Sequence, residues 1–225
     1  MNENLESRHN DMNILILGAT GQIAHYLITD LLNHSDADLT LFGHHTSSRL
    51  TLSNPNREKA IDGDIENAND LKQAMKDQNI VILDNAMPNL LEDTYQAMKK
   101  AGVTRLIVTG TIGLYDEVGG KFGEWGKSMS GAFKDSEQYQ QIIQQIIDDP
   151  EIDFTYVRMT MLYNNDQKTD YKLVPFGEKV TGAQVSRQAV AHFITDMVND
   201  PTLENNANIA IIEPGSEDMT KPSFY

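Results

Sequence analysis

The sequence predicts a doubly wound α/β fold, in which helices cover both faces of a parallel sheet. Two observations predict it. Short apolar runs alternate with amphipathic stretches from Asn13 onward, and the first run leads through the residues GATGQIA at 18–24 into a helix. Strands that are apolar throughout are typical of a sheet buried on both sides. No Pro-, Gly- or Ser-rich linker divides the 225 residues, so we expect one domain.

Each predicted element follows from its local pattern. The first strand reads NILIL, and the helix after it places Ile23, Leu27 and Leu31 on one face. Strands are predicted at 13–17, 39–42, 59–61, 80–83, 105–109, 154–158 and 208–212. Helices are predicted at 22–33, 68–77, 90–100, 131–148 and 186–199. We expect the polar residues 1–11 to be a mobile extension ahead of a domain that covers 12–225.

Two connections are too long to be simple turns. Residues 110–130 follow the fifth strand and residues 159–185 follow the sixth, so both leave the carboxyl edge of the predicted sheet. Long loops in compact domains are usually functional or disordered, and ligands of doubly wound sheets bind at this edge. We therefore expect the two connections to form the pocket of a small-molecule substrate.

Composition excludes several classes of partner. The 33 acidic and 18 basic residues give a net charge of −15, which would repel nucleic acid. No apolar run approaches the roughly 18 residues that span a bilayer, and the polar start lacks the apolar core of a signal peptide. We expect a cytoplasmic protein without membrane partners, either monomer or homodimer. The absence of cysteine excludes disulfides, thiolate catalysis and Cys-ligated metals.

The turn after the first strand has the properties of a dinucleotide-binding turn. Gly18 stands where the chain turns sharply and where a positive φ costs glycine nothing. Gly21 has no Cβ, so a pyrophosphate can approach the backbone, and Ala24 is small enough for close packing of helix on strand. The helix then directs free N–H groups and its positive dipole end toward the phosphates.

Five segments of the chain together resemble the atypical short-chain dehydrogenase/reductases. The chain is most similar to the NmrA-like NAD(P)-binding reductases, which also resemble flavin/biliverdin reductase and quinone reductase type 2. The segments are GATGQIA at 18–24, GDIENANDLKQAM at 63–75, LIVTGTIGLYDE at 106–117, FTYVRMTML at 154–162 and VSRQAVAHFITDMV at 185–198. The resemblance implies an NAD(P)H-dependent oxidoreductase that reduces a small quinone, flavin or carbonyl. It leaves open a non-catalytic NADP-binding regulator.

The end of the second strand favours NADP over NAD. Sites specific for NAD hold the ribose with an acidic residue at this end, about 20 residues after the glycines. Asp38 has that spacing but begins the strand, so it would lie about 13 Å from the carboxyl end. The segment that does follow the strand is GHHTSSR at 43–49, in which Arg49 could meet a 2′-phosphate. His44 and His45 are better read as solvated loop residues than as metal ligands, and we expect no metal.

The Tyr and Lys pair of typical short-chain dehydrogenases is missing from its usual place. Tyr95 and Lys99 have the spacing, but their helix precedes the fifth strand. The helix after the fifth strand carries Tyr139, and the residue four positions further on is Ile143. We therefore take Tyr115 as the candidate proton donor.

The resulting site prediction combines the turn, the resemblance and the loops. Catalytic roles are predicted for Tyr115, Thr111 and Lys127. The resemblance implies that Asp64 accepts a hydrogen bond from the adenine amino group, although a turn acid ahead of a helix explains it nearly as well. Cofactor contacts are predicted at Gly18, Ala19, Thr20, Gly21, Gln22, Ile23, His44, Arg49, Asp64, Ile65, Asn85, Ala86, Met87, Thr109, Gly110 and Arg158.

Overall fold

The computed structural model describes residues 12–85, 87–127 and 136–225, with Ser136 described in its backbone alone. The expected N-terminal extension at 1–11 and the predicted cofactor contact Ala86 therefore lie outside the described residues. The strands are β1 Asn13–Leu17, β2 Asp38–Gly43, β3 Glu58–Asp62, β4 Ile80–Leu83, β5 Arg105–Thr111, β6 Asp153–Met159, β7 Met161–Tyr163, β8 Lys172–Val174, β9 Gln184–Ser186 and β10 Ala207–Ile212. The helices are α1 Gln22–His34, α2 Thr46–Arg49, α3 Ala68–Ala74, α4 Pro88–Ala101, α5 Gly120–Lys127, α6 Ser136–Ile147 and α7 Arg187–Asn199, followed by a 3-10 turn at Ser216–Asp218.

The main sheet has eight strands in the order β3-β2-β1-β4-β5-β6-β10-β8. The first seven run parallel, and β8 pairs antiparallel with β10 at one edge. The order reverses between β1 and β4, which is the point at which doubly wound sheets bind ligands. A small second sheet pairs β7 with β9. The predicted α/β fold is confirmed.

The core is divided by the sheet into two layers. Alternate residues of β1 face opposite sides, so Ile14 and Ile16 pack on one layer while Leu15 and Leu17 pack on the other. The first layer contains apolar residues of α1 and α7, and the second contains those of α3, α4 and α6. Among the helices of the described residues, none combines the length and the apolar character that crossing a bilayer requires.

The long connections contain short elements that the sequence did not predict. The connection after β5 contains α5, and the connection after β6 contains β7, β8 and β9. The two connections meet at a bridge between Val118 and Val180. Helix α3 ends at Ala74, before the predicted end at 77, and the chain then turns through Asp77 with a positive φ of 60°.

Candidate functional site

Hydrogen bonds join the glycine turn between β1 and α1 to the end of β2. The N–H groups of Gly18 and Ala19 both donate to the carbonyl of Phe42, at 3.0 and 3.1 Å. Gly18 has a φ of +84°, and Gly21 closes the turn by donating its N–H to the Gly18 carbonyl at 2.8 Å. The turn therefore has the left-handed backbone that its first glycine predicts.

Asp84, which directly follows β4, lies beneath this turn. A Cβ added to Gly21 would lie 2.4 Å from Asp84 Oδ2, so a side chain at this position would displace the carboxylate. The carboxylate accepts hydrogen bonds from the Ala24 N–H at 3.0 Å and from the Thr109 hydroxyl at 2.8 Å. Burial raises the pKa of Asp84, against the opposing effects of Thr109, Ala24 and the charge of Arg187. The sequence analysis does not include Asp84 among the site residues. Its place directly after the wholly apolar strand β4, at the carboxyl edge of the sheet, is the signal that could have identified it.

Arg49 lies next to the glycine turn, as the sequence predicts. It ends the short helix α2, and its Nη1 donates to the Thr20 hydroxyl at 3.0 Å. Asp38 begins β2 and pairs with Asn13, so it lies at the end of the strand opposite to Arg49. The acid near α2 is instead Asp62 at the end of β3, whose carboxylate accepts from both the N–H and the hydroxyl of Ser47. These two hydrogen bonds lower the pKa of Asp62.

Asp64, for which the resemblance implies a contact with the adenine, follows β3, and His44 follows β2. His44 Nε2 is 3.4 Å from Asp64 Oδ1, and both side chains are exposed. The Gly63 N–H donates to the Gly43 carbonyl at 3.1 Å, which joins the ends of β2 and β3. Asp64 Oδ1 also accepts from the Glu66 N–H at 2.9 Å, a local turn contact. Ile65 is buried in the layer of α3 and α4.

A cleft of about 390 Å³ opens beside the turn at the carboxyl edge of the sheet. The ends of β5 and β6 contribute to it through Gly110, Thr111 and Met159, and the connection after β6 contributes Leu162 of β7. The connection after β5, which the sequence also predicts to form the pocket, contributes no lining residue among those the structure describes. The lack of a side chain at Gly110 makes room for the ring of Tyr156, because a Cβ on Gly110 would lie 2.1 Å from that ring. The remaining lining residues are Gly21, Gln22, Ile23, Asp84, Asn85, Met87, Thr109, Tyr139, Tyr156 and Arg187.

Tyr139, Tyr156 and Arg187 are polar residues of the cleft that the site prediction did not include. Tyr139 lies on α6, and its hydroxyl donates to Met87 Sδ at 3.4 Å. The Tyr156 hydroxyl is buried without a hydrogen-bond partner among the described residues, and burial raises its pKa. Arg187 begins α7 and donates to Asn164 Oδ1 at 2.9 Å. Tyr139 lies on the helix after β5, where typical short-chain dehydrogenases have their catalytic tyrosine. The sequence argues against it only because the residue four positions later is Ile143 instead of lysine.

The predicted catalytic Tyr115 does not line the cleft. Its hydroxyl accepts from Asn208 Nδ2 at 3.1 Å, and the edge of its ring packs on Phe176 with the ring centroids 4.9 Å apart. Lys127, the predicted partner, has 72% of its side chain exposed on α5 and pairs with Glu124 at 2.8 Å. Neither side chain lines the cleft, so the structure does not support the predicted catalytic roles of Tyr115 and Lys127. Thr111 does line it, with its hydroxyl 3.3 Å from the Ile112 carbonyl.

Arg158 is also corrected, because its side chain lies in the protein interior. Its exposure is 0%, and its Nη1 pairs with Glu117 Oε1 at 2.9 Å. Its Nε donates to Asn208 Oδ1 at 2.8 Å. The guanidinium carbon lies 5.9 Å from the ring centroid of Tyr115 and 5.6 Å from that of Phe176. The loop after β5 covers this cation, so Arg158 holds the loop and does not contact the cleft.

Comparison with known proteins agrees with this geometry. A model of the NAD(P)H-binding family matches residues 18–201. A short-chain dehydrogenase/reductase of Veillonella parvula, solved in complex with NADP, is 30% identical over 95% of this chain and 99% of its own, with a TM-score of 0.85. A Rossmann-fold NAD(P)-binding protein of Shigella flexneri is 30% identical over 95% and 99%, with a TM-score of 0.76. No curated protein gives a significant match.

A more distant solved structure shares the fold alone. ChuY, an anaerobilin reductase of Escherichia coli O157:H7, is 17% identical over 91% of this chain and 98% of its own, with a TM-score of 0.70. The family match and the two relatives at 30% identity establish the class. The chain belongs to the NAD(P)H-binding Rossmann family, and within it to the atypical short-chain dehydrogenase/reductases.

Proposed function

We propose that the protein is an NADPH-dependent reductase that transfers a hydride to a small quinone, flavin or carbonyl acceptor. The observation that carries the proposal is the cleft itself, which joins the glycine turn at Gly21 to a tyrosine, Tyr139, on the helix after β5. Bound NADPH supplies the hydride. The chain has to hold the dinucleotide, align the acceptor and deliver a proton.

The glycine turn fits a pyrophosphate. The first-turn N–H groups of Gln22 and Ile23 have no partner within α1, and both residues line the cleft. The Ala24 N–H is already taken by Asp84. Burial raises the pKa of Asp84 beneath the turn, so the charged form of this carboxyl is less favoured than that of an exposed aspartate. Helix dipole and amides then favour an anion at this point.

Preference for NADP rests on Arg49. This exposed cation is held against the turn by Thr20, where a 2′-phosphate would accept charge-assisted hydrogen bonds. The similar protein of Veillonella parvula was solved with NADP, which supports the same choice. Asp62, the acid nearest to α2, has its carboxylate bonded to Ser47. In this proposal the adenine would lie beside Asp64 and His44, which are exposed next to each other.

We assign the proton donor to Tyr139 instead of Tyr115. Tyr139 lines the cleft together with Thr111 and the apolar residues Met159 and Leu162, which suit a flat, largely apolar acceptor. A hydroxyl in this position can donate to the oxygen of a reduced carbonyl or quinone. The residue one turn later, Ile143, is fully buried in the core and provides no cation beside the tyrosine.

The spacing after Tyr139 favours a second candidate function. Because Ile143 stands four residues after Tyr139, where typical short-chain dehydrogenases have lysine, the protein could bind NADP and reduce nothing, as a regulator does. One experiment separates the two functions: purified protein is mixed with NADPH and a panel of quinones, flavins and aldehydes, and loss of the reduced nicotinamide absorbance is followed. Turnover with at least one acceptor supports the reductase. Micromolar NADPH binding without turnover of any acceptor supports the regulator and overturns the reductase.

Replacement of Tyr139 tests the assignment of the proton donor. We expect Tyr139→Phe to lower kcat for a carbonyl acceptor about 100-fold, because a positioned acid contributes on this order, and to leave NADPH affinity unchanged. Tyr26→Phe is the matched control, since Tyr26 lies on α1 and does not line the cleft. Equal kcat values for the two variants would contradict the assignment.

A further inference from the structure

Two helices on one face of the sheet bring together three side chains that can bind a metal ion. Asp30 and His34 lie one turn apart on α1, and His192 lies on α7. Their ligand atoms all lie within 4.8 Å of one another. The three residues are on the layer that α1 and α7 form, and none of them lines the cleft.

The distances within this cluster match those of a shared ion. His34 Nδ1 is 3.1 Å from Asp30 Oδ1, and His192 Nδ1 is 3.4 Å from Asp30 Oδ2. Two ligand atoms bound to one tetrahedral zinc ion are about 3.3 Å apart, given bonds of about 2.0 Å. Small side-chain rotations would therefore direct both Nδ1 atoms and a carboxylate oxygen to one point.

The surroundings suit a cation with an open coordination position. Asp30 is largely buried, with 17% of its side chain exposed, whereas His34 and His192 are 55% and 36% exposed. Protein ligands would thus occupy the inner side of an ion, and water could occupy its outer side. The backbone that carries the ligands is held, because Asn199 of α7 donates to the His34 carbonyl at 2.9 Å. The net charge of −15 favours cations over the whole surface.

We propose that Asp30, His34 and His192 form a binding site for a divalent transition-metal ion of the zinc class. Two imidazoles and one carboxylate are ligands that zinc, cobalt and nickel accept, and three protein ligands leave one position for water. The ion would join two helices whose ligands are 162 residues apart in sequence. Because such a site does not persist in the unfolded chain, metal binding would stabilise the fold. This proposal is independent of the proposed reductase activity.

The test is a metal titration of untagged, full-length protein that a chelator has first stripped. We expect one equivalent of Zn²⁺ to bind with micromolar affinity in calorimetry, and Co²⁺ to give the visible absorption of a low-coordinate site. We expect His192→Gln and His34→Gln each to weaken binding about tenfold or more, since even neighbours of metal ligands contribute this much. Zn²⁺ should raise the thermal midpoint of the wild type and leave that of His192→Gln unchanged.

His25→Gln is the matched control, because His25 lies on the same helix, is exposed and is outside the cluster. Each variant is checked for folding by circular dichroism and for NADPH binding before the titration, so that loss of metal binding is not loss of fold. Unchanged Zn²⁺ affinity in both His34→Gln and His192→Gln would overturn the proposal. So would wild-type binding as weak as that of His192→Gln, which would leave a hydrogen-bonded cluster and no metal site.

Discussion

Two charged residues lie beside the glycine turn, where the proposed dinucleotide would bind. The Arg49 guanidinium donates to Thr20, in a position from which it would attract phosphate. Asp84 lies beneath the turn and would repel phosphate when ionised, and burial raises its pKa. Both residues come from segments distant from the glycines in sequence. The selectivity and the pH response of the site should therefore depend on these two side chains.

Arg49→Ala should reduce preference for NADPH. We expect the Kd for NADPH to rise about tenfold, because a charge-assisted hydrogen bond to phosphate is lost, while the Kd for NADH changes little. Fluorescence titration of the two reduced nucleotides measures the effect. Lys59→Ala is the control, since Lys59 is an exposed cation on the neighbouring β3. A similar loss of affinity for both nucleotides would show that Arg49 supports the turn and does not select the 2′-phosphate.

Asp84→Asn should change how stability depends on pH. Burial raises the folded-state pKa of Asp84 above the ordinary aspartate value of 3.8, so its contribution to stability is fully present below that value. That contribution is lost as the pH rises through the higher folded-state pKa. The asparagine does not titrate, so we expect the variant to become more stable relative to the wild type as pH rises from about 4 toward 7.

Thermal midpoints of the two proteins across this pH range test the prediction. The exposed Asp93 on α4 provides a control, since Asp93→Asn removes a carboxylate that is not buried. A difference between Asp84→Asn and wild type that stays constant with pH would mean that Asp84 has the same pKa in the folded and unfolded states.

Among the elements, the loop between β5 and α5 depends on a buried ion pair. The Glu117 carboxylate accepts from Arg158 at 2.9 Å and from the N–H groups of Gly113 and Tyr115 at 3.1 and 3.0 Å. Burial alone would raise the pKa of Glu117, but hydrogen bonds from its own backbone, Arg158, Tyr115 and Gly113 together hold it below the ordinary value. Through Glu117, these contacts hold the loop against Arg158 of β6.

Glu117→Gln should destabilise the protein by about 3 kcal/mol, because it leaves a buried guanidinium without its counter-charge. Urea unfolding measures the loss. The control is Glu124→Gln, which removes an exposed acid on α5 and should cost less than about 0.5 kcal/mol. A Glu117→Gln variant as stable as Glu124→Gln would show that the pair contributes nothing.

Elements with a strong local pattern could be predicted, and elements without one could not. The seven predicted strands are present, and most of them are apolar runs buried in the parallel sheet. The exception is β3, which reads EKAID and lies partly exposed at the sheet edge. The short strands β7, β8 and β9 are three residues each, and they form by pairing with distant segments: β7 with β9, and β8 antiparallel to β10. Three residues carry too little periodicity to specify a strand.

For the molecule overall, the sequence was enough to predict the fold class and the glycine turn. Both are local properties: apolar runs define the strands, and GATGQIA defines the turn that follows β1. The tertiary structure decided which tyrosine reaches the cleft and which acid lies beneath the turn. Asp84 meets Ala24 across 60 residues, and Tyr139 meets Met87 across 52. Such contacts depend on how the loops and helices pack, which no local pattern contains.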